Sequence, residues 1–192
     1  MKKILFAVAL LLTAFSPLQA QYLNSGYRGM LELGFGVGNR FDRAEYAPDA
    51  RSFAGHLEVS TTHGYQFNPY LFLGGGVGVL CRDITEDGTT FPFFADFRAN
   101  FNKKKNSPYG VLKIGYSMSP EDELKGGVYF NPSLGYRFGI YKKLAMNVSL
   151  GYLFQQADFY ESGGIFCIFF CRPEHISRGV LNAITAKVGI EF

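Results

Sequence analysis

After residue 20 the sequence contains no apolar run long enough to make a membrane helix. Outside those first twenty residues it also lacks helical periodicity. There is no repeat beyond a strand-and-turn rhythm and no linker, so a second domain is not expected. Charge is scarce: Asp, Glu, Lys and Arg make up 18%, against roughly 25% in soluble domains. The formal net charge of +3 falls to +1 once Lys2 and Lys3 are set aside, which gives no footing for nucleic acid. The three histidines lie far apart without ligand spacing, so neither a metal nor a cofactor is expected. Three cysteines are an odd number and cannot all pair within one chain.

What is present begins with MKKILFAVALLLTAFSPLQA: two lysines, an apolar run from Ile4 to about Ala14, and a small-residue ending at Ala20. This is the anatomy of a secretory signal peptide over 1–20, with cleavage expected before Gln21. A retained anchor is the alternative. Gln21 is not the cysteine that a lipoprotein needs. Residues 21–192 then form one exported domain, either a periplasmic β domain or a membrane β-barrel.

Eight segments rich in aromatic and β-branched residues read as strands, at about 27–38, 52–67, 70–81, 91–102, 109–118, 127–140, 144–155 and 178–192. Alternate positions sort them into two faces. One carries bulky apolar residues, such as Leu33 and Phe35, Phe93 and Phe97, Leu134 and Tyr136, Val148 and Leu150. Through the first seven strands it holds no Lys, Arg, Asp or Glu. The other carries Arg28, Glu32, His56, Glu58, Asp96, Arg98, Lys113, Arg137, Lys187 and Glu191, spaced by glycines such as Gly34, Gly74, Gly76, Gly135 and Gly151. A soluble barrel with its apolar face inward fits this alternation too. Size favours the reverse, because a narrow lumen suits small residues and paired charges while bulky residues face lipid. An Arg or Lys facing mid-bilayer would cost about 2–4 kcal/mol. Thr61, His63 and Asn182 interrupt the apolar face and are expected near an interface.

Connector lengths agree. FNPY, NKKKNSP and YKK are short, whereas the connections at about 39–51, 82–90, 119–126 and 156–177 are long. That asymmetry belongs to outer-membrane barrels, whose short turns face the periplasm. Tyr65, Phe67, Tyr70, Phe101, Tyr109, Tyr136, Phe138 and Tyr141 cluster near the turns, as an interfacial girdle should. The fold expected is all-β, an eight-stranded antiparallel up-and-down transmembrane β-barrel.

The segments GVYFNPSLGYRF (127–138) and LAMNVSLGYLF (144–154), with the closing AKVGIEF, resemble the small outer-membrane β-barrel family, the OmpA- and OmpX-like barrels of Gram-negative bacteria. The resemblance implies a cell outer membrane location and an assembly signal read by the barrel-assembly machinery, carried here by Val188, Ile190 and Phe192. These residues are also a final lipid-facing strand, and both roles are compatible. No peptidoglycan-binding domain of the OmpA type is expected after Phe192.

Candidate site residues lie first on the charged face. Arg28, Arg98, Lys113, Arg137 and Lys187 oppose Glu32, Glu58, Asp96 and Glu191 in a confined space, where charges must pair. They form either a filled, ion-locked lumen or a narrow ion path. His56 shares that face with Glu58 and reads as part of the network. His175 and Ser177 are the one enzymatic pairing, similar to that in PagL-type lipid A deacylases, but Glu174 and Glu191 are poorly placed as the acidic partner. Cys167 and Cys171 are the favoured disulfide, with a bridge from Cys81 to the last loop as the alternative. Phe166, Phe169 and Phe170 in GIFCIFFCRP are candidate contacts to an extracellular partner or the outer leaflet. The DITEDG loop at 83–88 does not follow the EF-hand spacing and reads as a solvated turn. The function expected is a non-enzymatic, structural or surface-interaction barrel, monomeric and surrounded by outer-membrane lipid. A lipid A-modifying enzyme and a narrow pore are the alternatives.

Overall fold

The computed structural model describes residues 25–42, 51–82, 89–119, 124–125, 127–141, 144–160 and 176–192. Eight strands build its wall: β1 (Gly26–Asp42), β2 (Arg51–Gln66), β3 (Leu71–Arg82), β4 (Thr89–Asn100), β5 (Ser107–Met118), β6 (Gly127–Tyr141), β7 (Leu144–Tyr160) and β8 (Ile176–Glu191). A further two-residue strand, Leu124–Lys125, lies against Asp158 and Phe159 of β7. Each wall strand pairs antiparallel with the next. β1 returns to β8 over a register from Met30↔Glu191 to Asp42↔Gly179, which closes the sheet into a barrel. The last backbone groups join as well: Gly29 and Phe192 exchange two N–H···O bonds of 2.9 Å. A closed sheet has no edge, so every wall strand has a partner on both sides.

Alternation along the strands sets the polarity of the wall. Leu134 is 66% exposed and Leu150 61%, while Glu58 is 1% and Asp96 0%. All ten charged or histidine side chains assigned above to the charged face point into the lumen. The expected bulky face lies outside, but the expectation that the lumen holds only small residues and charges is overturned. Met30, Phe72, Leu80, Phe94, Tyr109, Tyr129, Leu153 and Leu181 are buried inside. Tyr109, expected in the interfacial girdle, is one of them. Glycines on neighbouring strands make the room. A Cβ at Gly76 would collide with the Phe94 ring, and one at Gly135 would come within 2.5 Å of Tyr109 Cζ. The small inward residues therefore mark where aromatic rings lie down, rather than an empty lumen.

Strand limits also differ at the ends. β4 stops at Asn100, leaving Phe101 in a turn, and β5 starts at Ser107. The turn between them is fixed by the Asn102 N–H on Ser107 Oγ (3.0 Å) and the Lys104 N–H on Asn102 Oδ1 (3.3 Å). In FNPY, Asn68 Oδ1 accepts from the N–H groups of Tyr70 (2.9 Å) and Leu71 (2.8 Å), a side-chain mimic of a backbone turn. At the opposite end β7 and β8 run farther than expected, pairing as far as Tyr160↔Ile176. Gly76→Val should overpack the lumen and destabilise the folded barrel by about 1–3 kcal/mol. Urea titration of the barrel in detergent would measure this, and adding Phe94→Leu should recover part of the loss.

Candidate functional site

β1 lies between β2 and β8, and Gly34 of β1 is in register with Glu58 on one side and Lys187 on the other. With no side chain between them, the two meet over Gly34: Lys187 Nζ lies 2.9 Å from both Glu58 carboxylate oxygens. Tyr129 from β6 adds its hydroxyl to the same carboxylate at 3.1 Å. One level nearer the short turns, Glu32 receives Lys113 Nζ and, at 3.1 Å, Arg98 Nη2. Arg98 also donates to Asp96 at 3.2 Å. Nearest the turns, Glu191 accepts from Arg28 Nη1 (2.6 Å) and from Arg137 Nε (2.9 Å) and Nη2 (3.0 Å). The structure thus joins the nine expected network residues into three tiers of ion pairs across the barrel. His56 is buried on the same face, its ring over Gly36.

Sequence reading missed the aromatic half of this arrangement. The Arg98 guanidinium carbon sits 4.9 Å from the centre of the Tyr109 ring, and Lys113 Nζ 4.6 Å from that of Phe94. Phe94 and Tyr129 stack at 5.6 Å. Toward the long connections the lumen becomes apolar, where Leu80, Phe94, Tyr129, Leu153, Leu181 and Ala183 form one cluster. Beside it Gln155 Nε2 donates to Thr90 Oγ1 (3.1 Å) and Ser117 Oγ (2.7 Å). Charge pairs and apolar packing together fill the cross-section of a narrow barrel. The signal for the rings was the glycine at each neighbouring register, which shows only once pairing is known.

Pro132 interrupts the β6–β7 ladder. It has no N–H, and no pairing joins these strands between Phe130↔Phe154 and Ser133↔Gly151. The Tyr152 carbonyl is instead satisfied by Asn131 Nδ2 at 3.0 Å. On the outer wall beside this break lies an apolar groove of about 660 Å³, lined by Ala99, Gly110, Leu112, Pro132, Leu134 and Ile184 among others.

The polar residues on the outer face find lateral partners. Tyr27 Oη lies 2.5 Å from His63 Nδ1, and His63 Nε2 3.0 Å from Thr61 Oγ1. Thr61 in turn donates to the Met30 carbonyl at 3.3 Å. Tyr152 donates to Asn182 Oδ1 at 2.9 Å. Val188 and Ile190 face outward on β8, and the Phe192 ring covers Gly29. Cys81 is a free, exposed thiol. The candidate disulfide Cys167–Cys171, the aromatic contacts Phe166, Phe169 and Phe170, His175 with Glu174, and the 83–88 loop lie outside the described residues. For Ser177 only the backbone is described, opposite Phe159.

A wall with lipid-facing alternation, a closed antiparallel register and an ion-paired lumen defines the class: this chain has the fold of the small eight-stranded outer-membrane β-barrels. It is similar to the outer membrane protein OprG from Pseudomonas aeruginosa, with a TM-score of 0.56 and 13% identity over 91% of this chain and 99% of that one. It is also similar to the outer membrane protein AlkL, determined in lipid bilayers, with a TM-score of 0.57 and 10% identity over 93% and 94% of the two chains. At the sequence level, no protein-family model and no curated protein matches it.

Removing one partner of a buried pair strands the other charge. Glu58→Ala should therefore cost about 3–5 kcal/mol in urea unfolding, whereas Glu58→Leu with Lys187→Met should cost much less. Asn131→Ala would orphan the Tyr152 carbonyl, at about 1–3 kcal/mol. Its signature should be faster amide exchange confined to β6 and β7.

Proposed function

We propose that this chain is an exported barrel of the outer membrane that acts without catalysis, holding its four long connections outside the cell for structural support or surface contact. The observation that carries this reading is the inverted polarity of the wall. Large apolar side chains from all eight strands are exposed outward, and the described strand charges on the apolar-alternating part of the wall are enclosed. In water such a surface would drive association; in a bilayer it is the solvent-matched face. The exposed aromatics Tyr65, Phe67, Tyr70, Phe101, Tyr136, Phe138 and Tyr141 at the short-turn rim support an interfacial girdle. The leader at 1–20 supports export. The likeness in fold to OprG and AlkL, both described as outer membrane proteins, supports the same location.

The filled lumen favours a support over a conduit. Ion pairs occupy its turn-side half and an apolar cluster its loop-side half. Surface contact belongs to the long connections, where the apolar segment containing Phe166, Phe169 and Phe170 is the segment we assign to a partner. A monomer assembled by the barrel-assembly machinery through its Val188–Ile190–Phe192 strand completes the reading.

Fractionation combined with protease treatment of intact cells tests it. The mature chain should be recovered with outer membranes and be cut within 161–175 but not at the short turns. Recovery of a detergent-free soluble monomer would overturn the reading. Planar bilayers should remain silent; a steady conductance altered by Arg98→Ala would establish the pore alternative instead. An altered lipid A profile that is lost with His175→Ala or Ser177→Ala would establish the enzyme.

A further inference from the structure

The charges of this chain are sorted along the barrel axis. The long connections and adjoining strand ends (39–54, 82–89, 119–126 and 156–178) carry twelve acidic and seven basic residues. The short turns carry five lysines and no Asp or Glu. Three of those lysines, Lys103, Lys104 and Lys105, stand in the β4–β5 turn. Lys105 lays its chain over Gly139, and its carbonyl accepts from Arg137 Nη1 at 3.1 Å. Lys103 and Lys104 have no carboxylate partner among the described residues. Lys103 Nζ lies 5.6 Å from the centre of the exposed Tyr70 ring. The Asn102 N–H on Ser107 Oγ and the Lys104 N–H on Asn102 Oδ1 fix the backbone of the turn that carries both lysines.

The outer groove beside Pro132 begins under that turn. Its lining follows two register rows, Ala99↔Gly110↔Leu134↔Leu150 and Phe97↔Leu112↔Pro132, with Tyr152↔Ile184 beyond the break. At β5 the first row is three residues from the start of the strand at Ser107. At β7 it is six residues from Leu144. The groove therefore starts beside the β4–β5 turn, about 10 Å along β5 from Ser107, and reaches mid-barrel at β6 and β7. Gly110 is part of its floor, where a Cβ would meet Phe101 Cζ at 3.5 Å and Leu134 Cδ2 at 3.7 Å.

We propose that the lysine turn and this groove form one binding site for an anionic glycerophospholipid of the turn-side leaflet. The phosphate and headgroup would rest on Lys103 and Lys104, and an acyl chain would lie along Gly110, Pro132 and Ile184. This rests on the membrane-barrel reading above. Cations beside an interfacial ring attract acidic headgroups, each lysine contributing up to about fivefold in affinity. The groove supplies the apolar surface that a chain-length ligand needs, with Ala99 and Gly110 as its lining nearest the lysine turn. A second copy of this chain would not use the lysines, since it would set like charges together.

The test uses the mature chain reconstituted in phosphatidylcholine bilayers with trace spin-labelled phosphatidylglycerol or phosphatidylcholine, reading the motionally restricted fraction by electron spin resonance. Phosphatidylglycerol should be preferred on the order of fivefold. Lys103→Gln with Lys104→Gln should bring the preference close to one. Gly110→Leu should lower the restricted fraction of both lipids and keep the preference. Equal restriction of the two lipids by the unaltered chain, or a preference untouched by the lysine changes, overturns the headgroup site. An unaltered restricted fraction in Gly110→Leu overturns the chain seat. A cross-linked dimer broken by Gly110→Leu places a second copy in the groove and overturns the lipid assignment. Heat-modifiable gel migration reports folding throughout: an unaltered chain that fails to insert at all counts against the membrane reading, not against lipid choice.

Discussion

Inside a bilayer no water is at hand to satisfy a backbone amide, so a β structure survives there only if its hydrogen-bond ladder closes on itself. The pairing of β1 with β8 is that closure, and most of the design follows from it. A closed wall of eight strands has a narrow lumen. Narrowness forces side chains from opposite strands into contact, so the charges inside must meet partners, and they do in three tiers. The same closure leaves no spare strand edge to absorb a fault. Where Pro132 breaks the ladder, the adjoining Asn131 amide takes over the orphaned carbonyl.

The interior combines two ways of filling space. Ion pairs alone would leave poorly solvated charges in a low-dielectric enclosure, where desolvation offsets much of the attraction. The rings of Phe94 and Tyr109 lie against the cations and supply their negative faces. Beyond Tyr129 the packing becomes apolar, so the polar belt is capped on the loop side by hydrophobic contacts. The lumen is a layered core turned inside a lipid-facing shell.

The outer wall was legible in the sequence because lipid tolerates so little there: a misplaced Arg costs enough to keep charge off mid-wall positions such as Phe97, Leu134 and Leu150. The nine-member charged network was legible for the same reason, being the complement of that face. The lumen rings were not. An inward Tyr109 and an outward Tyr136 are both compatible with their neighbours in sequence. What separates them is Gly135, which lies across the register from Tyr109 and leaves space for it. Glycine therefore suggested a small-residue lumen when it was recording the position of a large neighbour. Strand ends misled in the same manner, since Ser107 and Asn102 fix the β4–β5 turn through a side-chain bond that no periodicity reveals. The Asn131–Pro132 pair could have been noticed, because a proline in the middle of a strand demands a replacement donor.

The last hairpin outgrows its neighbours. Beyond the level of Ala157↔Gly179 the pairs Asp158↔Arg178, Phe159↔Ser177 and Tyr160↔Ile176 continue after β1 has ended, braced by Leu124 and Lys125. Three further rungs raise the base of the final connection by about 10 Å. Whatever that connection touches is thus met from paired strands that stand clear of the rest of the wall.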